Sequence, residues 1–211
     1  TELVNVTKRY FEDKGVKVIA LNLPQSVSGS KAFVRRRGEK DVPVIVVNQH
    51  HNGERQRFTL AHELAHLVLR FGNLSDAEQE KAADRFAGAF LMAKDMLLRL
   101  LGNHRTSISL GELAELKKLF KVSIASLAVR CSQLGVLSTA AYRRLWAQLK
   151  GLGWNGPASS EPHALDPERP LRRERLCLRA VTEGAISEAK GAELLNISVR
   201  ELNRRLAGQA A

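Results

Sequence analysis

His62-Glu63-Leu64-Ala65-His66 reads H-E-x-x-H. On a helix, side chains four residues apart project from one face, so His62 and His66 can grip one metal ion. Glu63 sits one residue round and can reach a water on that ion. The flanks predict the helix: Phe58, Ala61, Ala65, Val68 and Leu69 recur at helical spacing, and Asn52-Gly53 offers a start signal. Ordinary amphipathic helices also carry this five-residue pattern by chance, so other residues must bear on it.

A second stretch does so. Ser75-Asp76-Ala77-Glu78 is a capping box and opens another helix, with Ala83, Phe86, Ala87 and Phe90 as its apolar stripe. Glu80 and Asp84 lie one turn apart on the flank of that stripe. A catalytic zinc usually takes three protein ligands and leaves a position for water. His62, His66 and Glu80 make such a set. Asp84 then accepts the free N–H of a ligating histidine and fixes its tautomer. Asp84 as a direct ligand is the main rival, and the cap already explains Glu78. A merely solvated helix face would not explain why an acidic pair follows H-E-x-x-H so closely.

The run from Arg57 to Leu67, followed by Glu80-Lys81-Ala82-Ala83-Asp84-Arg85-Phe86-Ala87 and Phe90-Leu91-Met92, resembles the ImmA/IrrE family of metallopeptidases. The resemblance covers roughly residues 1–135. It implies metal ligation by His62, His66 and Glu80, with Glu63 as general base. It also implies a protein substrate, a repressor of the Xre type, whose cleavage switches on phage, mobile-element or stress genes. Some relatives sit in toxin–antitoxin loci. The alternative is therefore a non-catalytic DNA- or partner-binding regulator, such as an antitoxin, on a vestigial peptidase fold. The family usually has a proline after its Leu-Met pair, where this chain has Ala93. That proline shapes a helix end rather than the chemistry.

The chain has 211 residues, 44% of them hydrophobic, enough for a real core and one to two domains. It contains no apolar run of about 18 residues, so no membrane span is expected. No signal peptide is recognised, and a cytoplasmic protein is expected. Cys131 and Cys177, far apart on helical stretches, read as buried thiols in a reducing compartment. The net charge of +11 favours an anionic partner, with DNA the obvious one. Only Arg35-Arg36-Arg37 and the arginines around 172–179 form clusters; the rest of the charge reads as ordinary solubility.

Residues 2–14 predict a helix with Leu3, Val6, Tyr10 and Phe11 on one face. Strands are predicted over 16–21, 30–36 and 42–47, the last two joined by a hairpin turn at 38–41. This makes a small, mostly antiparallel sheet ahead of the metal helix. Residues 30–34 are the candidate edge for substrate strand addition, or a plain edge blunted by Lys31 and the arginines. His50 and His51 could orient substrate, but read more simply as a polar loop. Arg57, two turns from Glu63, reads as structural.

Helices follow over 94–101, 113–120 and 124–134, the second opened by a further capping box, Ser109 to Glu112. The last two have a helix-turn-helix shape, yet 124–134 carries only Arg130 as a basic residue, so they read as packing. The glycines and prolines of 150–170 read as a linker, with Trp146 and Trp154 docking its start. Helices at 171–182, 187–195 and 198–206 form a basic tail. Ala192, Asn196 and Leu202 fit helix-turn-helix spacing, and Arg200, Asn203, Arg204 and Arg205 lie on the last helix. That tail reads as a DNA-reading candidate or a docking module.

The fold expected is α+β: a zincin-like core with a trailing helical unit over 1–135, a helix and linker over 136–170, and a helix-turn-helix-like module over 171–211. The function expected is that of a zinc-dependent metalloendopeptidase, with manganese as the alternative ion. Glu63 takes a proton from the attacking water and passes it to the leaving amine.

Overall fold

The computed structural model describes residues 15–35, 37–38, 40–156, 160–167 and 171–208. The helix expected over 2–14 and the Arg36 member of the arginine cluster lie outside them. The chain divides into two compact units, residues 1–168 and 169–211. The fold is α+β, with helices dominating the C-terminal part.

The first unit opens with strands β1 (Lys17–Leu21), β2 (Gly29–Val34) and β3 (Val42–Asn48) in the order β1-β3-β2. β3 runs parallel to β1 and antiparallel to β2. The sheet is therefore mixed rather than mostly antiparallel. The loop over 22–28 is too long to force a hairpin, so β1 and β2 fall on opposite sides of β3. The β-branched run of β3 takes the central place, with Ile45 and Val47 fully buried. β2 is an edge strand, as is β1, and its Phe33 and Val34 side chains are exposed.

Helix α1 (Gly53–Val68) lies on this sheet. Asn52 caps it by accepting from the Arg55 amide at 2.9 Å. Its Leu60 packs with Val16, Val18, Ile45 and Val47. Val68 and Leu69, counted in the apolar face from spacing, are instead exposed at the helix end. Gly29 lets α1 approach β2, because a Cβ there would strike the Thr59 methyl and the Val46 carbonyl. That contact sets the distance between β2 and the histidine helix.

Helix α2 (Asp76–Leu91) packs against α1. Glu78 accepts from both the amide and the hydroxyl of Ser75, at 2.9 and 2.6 Å. Helices α3 (Lys94–Leu101), α4 (Leu110–Phe120), α5 (Ile124–Gln133) and α6 (Thr139–Gly151) enclose a second core around Leu97, Leu113, Ile124, Leu127 and Leu149. The α4 box is only half made. Ser109 accepts from the Glu112 amide, but the Glu112 carboxylate turns to Arg105 in a two-pronged pair at 2.9 and 3.0 Å.

The stretch read as a linker is tied down where it is described. The Gly53 amide donates to the Leu165 carbonyl, the Leu165 amide to Glu54, and the Ile124 amide to Glu161. Beneath this strap the Lys117 ammonium, with no exposed surface, sits between the Glu54 and Glu161 carboxylates. Burial pushes the Glu161 carboxyl pKa upward against the pull of the Ile124 amide and Lys117.

The second unit holds α7 (Leu171–Thr182), α8 (Glu188–Leu195) and α9 (Val199–Leu206) around Cys177, Ala192 and Leu202. Asn196 ends α8 in the left-handed region at φ 54°, as its position between two helices leads one to expect. Among the described residues no helix is long and apolar enough to cross a membrane.

Candidate metal centre

His62 and His66 leave α1 one turn apart, and their ring centroids lie 4.9 Å from each other. Glu80 arrives from α2. Its Oε2 is 3.1 Å from His62 Nε2, and its Oε1 is 3.1 Å from His66 Nε2. The two Nε2 atoms are 3.2 Å apart. Both rings are largely covered, while the Glu80 side chain is 60% exposed. Phe71 packs against the His66 ring at 5.3 Å.

The tautomer of His62 follows from Asp84. His62 Nδ1–H donates to Asp84 Oδ1 at 2.9 Å, since a carboxylate only accepts. A neutral His62 then presents a lone pair at Nε2, facing a carboxylate oxygen and a second imidazole. Such a convergence of acceptors is unfavourable unless a cation or a proton lies between them. Ligand atoms about 2.0–2.1 Å from a tetrahedral zinc are separated by about 3.4 Å. The separations here are close to that, so the donor set fits a zinc-type ion. Asp84 also raises the His62 pKa, chiefly through its hydrogen bond. The His66 pKa is lowered by burial and then by Lys31.

Glu63 is half-buried and lines the same cleft, an open cavity of about 670 Å³. Ser28 and Gly29 at the start of β2 line it, and so do Glu80, Asp84 and Gly88 along α2, Val129 and Arg130 on α5, and Trp146. The structure thus brings together His62, Glu63, His66, Glu80 and Asp84. Glu78 stays in its cap. His50 and His51 line no part of the cleft. They hold the 22–27 loop, through Asn22 Oδ1 at 2.7 Å and the Gln25 carbonyl at 3.2 Å. Arg57 is buried within α1 and lines no part of the cleft either.

Two features escaped sequence reading. Lys31, read as a charge that blunts an edge, lies near enough to His66 to depress its pKa. The Glu54–Lys117–Glu161 cluster is buried under the strap, and its members are far apart in sequence. An acidic residue in the first turn of a helix is so ordinary that Glu54 carried no signal.

A family model described as Peptidase M78, IrrE N-terminal-like domain, matches residues 11–132. A search of curated proteins finds no match to the chain.

Proposed function

Because this chain belongs to the IrrE N-terminal-like family of M78 peptidases, we propose that it is a zinc-dependent endopeptidase whose metal is held by His62, His66 and Glu80. The observation that carries this reading is the meeting of two imidazole nitrogens and the two oxygens of one carboxylate at 3.1–3.2 Å, with Glu63 beside them in an open cleft. Zinc bound there would polarise the scissile carbonyl and lower the pKa of a water to about 7. Manganese is the alternative ion.

The chain's own groups supply the rest. Asp84 holds the His62 ring by its Nδ1–H, so that Nε2 stays a lone-pair donor. The Glu63 carboxylate accepts the proton of the attacking water and delivers it to the leaving amine. The outer side of β2 has no strand partner among the described residues, and Gly29, where β2 begins, lines the cleft. A substrate backbone lying along 30–34 as an added strand would enter the cleft extended. The substrate we propose is a repressor of the Xre type, in a reducing cytoplasm.

The test is to incubate zinc- or manganese-loaded protein with the product of the neighbouring gene and with any Xre-type repressor of the same genome, with Glu63→Gln in parallel. The native protein should cut. The variant should keep its metal, because Glu63 is not a ligand, and lose at least about 10²–10⁴ in rate. A variant that keeps its metal and cuts at the native rate would falsify the mechanism. If neither protein cuts yet both regulate alike, the chain is a non-catalytic regulator.

A further inference from the structure

The cleft continues well beyond the metal-binding end. Along α2 the residues Glu80, Asp84 and Gly88 follow at intervals of four, and helix rise puts Gly88 about 6 Å past Asp84 and about 12 Å past Glu80. Facing it, α5 turns Val129, Arg130 and Gln133 inward, and Trp146 and Trp154 complete the walls. The near end is therefore acidic, and beyond it Val129 and the tryptophans are joined by the polar Ser126, Gln133 and Asn155, by Glu161 and by the guanidinium of Arg130.

Two observations mark the far end as a place for a ligand. The first is the charge of Arg130. Its Nε donates to the Met92 carbonyl at 3.3 Å, and among the described residues this is the one hydrogen bond of its side chain. No described carboxylate pairs with it or with the neighbouring Arg85. Burial, and then Arg85, hold its pKa below the ordinary guanidinium value. A half-buried cation without a counter-charge is a standing anion site. The second is Gly88, which is buried in the interior of α2. A glycine there weakens a helix relative to alanine. Packing does not demand it, because a Cβ would meet only Arg130 Cδ and Gln133 Oε1, both at an ordinary 3.8 Å. What the missing side chain does is keep the floor of the cleft open beneath Arg130.

We propose that this end of the cleft is a specificity subsite for an acidic side chain of the substrate, its methylenes against Trp146, Trp154 and Val129 and its carboxylate on Arg130. The inference deepens the peptidase reading and rests on it. It also sets polarity: Arg130 draws such a side chain to the far end, which fixes the peptide's register across the site.

The two tryptophans of the chain both line this cleft, so their indole N–H signals in NMR report its occupancy without any turnover. The experiment uses the full chain carrying Glu63→Gln and loaded with zinc. The probes are acetyl-Ala-Glu-Ala-amide, its Gln counterpart, and acetyl-Ala-Ala-Ala with a free C-terminal carboxylate. The Glu peptide should shift both indole signals saturably and bind about tenfold more tightly than the Gln peptide, as a charge-assisted pair requires. Arg130→Gln should erase that difference. Gly88→Leu, which fills the floor against Arg130 and Gln133, should abolish the response to all three. Equal responses to Glu and Gln, a response to the free C-terminus alone, or a Glu preference that survives Arg130→Gln would each overturn the proposal. Should Arg130→Gln not fold, the Glu-to-Gln ratio and Gly88→Leu decide. Failure of the peptidase reading shows elsewhere, as absent metal uptake or absent cleavage of the repressor.

Discussion

Glu78 and Glu80 stand two residues apart on one helix, and their carboxylates go to different places. Glu78 is taken up by the amide and hydroxyl of Ser75, which hold its pKa below the ordinary value of 4.5. Glu80 faces both imidazoles. Metal titration of the two alanine variants should therefore separate them: Glu80→Ala loses most of the affinity, and Glu78→Ala keeps it. Equal losses would sink the Glu80 assignment. Because the Glu78 pKa is depressed on folding, the stability it adds is present above about pH 4.5 and fades as pH falls through its folded pKa. The gap in melting temperature between native and Glu78→Ala protein should close in acid. Cys131 is a different case. Burial pushes its thiol up to about 11, so only about one molecule in a thousand is thiolate at pH 8. Iodoacetamide should label it slowly in the folded protein and rapidly in denaturant; fast labelling of the native state would show that its core opens.

Among the elements, α1 bears the most constraints. It must meet the sheet through Leu60, present two histidines to α2, and begin beneath the strap at Gly53 and Glu54. Lys117 is the tie that links these. Removing it leaves two carboxylates buried without a cation, and loss of one partner in a buried ion cluster typically costs about 3–5 kcal/mol. Lys117→Met should lower stability in urea by about that amount, and adding Glu161→Gln should recover part of it by removing one stranded charge. A loss below about 1 kcal/mol would mean that water reaches the cluster. The strap anchors on the first turn of α1, so the metal affinity of the Lys117 variant should fall with its stability.

At the scale of the whole molecule, residues 169–211 form a unit of their own. The trihelical shape suits a helix-turn-helix, but the polar groups on α9 are largely engaged within the unit. Arg205 pairs with Glu174 and Glu201 at 2.6 and 2.8 Å, Arg204 with Glu201 at 2.6 Å, and Asn203 with Glu188 at 3.1 Å. Groups spent on internal pairs are poorly placed to read base edges. We expect the full chain, at net charge +11, to retard duplex DNA only at low salt and without sequence preference. The check is a band shift at about 50 and about 200 mM salt, with and without residues 169–211. A shift that persists at the higher salt and vanishes on deletion would make the tail a DNA reader.

What the sequence determined by itself is local. Helical periodicity and the four-residue step put His62 and His66 on one face, the capping box started α2, and β-branched runs marked the strands. Each is settled by neighbours within a turn or two, so each was legible. What only the tertiary structure decided is contact between distant residues. No local rule placed β1 beside β3, since a long loop leaves pairing open. None turned Glu112 from its cap to Arg105. None brought Glu54, Lys117 and Glu161 together, or set Arg130 opposite Gly88. A side chain's partner across the fold depends on the packing of whole elements, and one sequence carries that information only in the sum of its contacts.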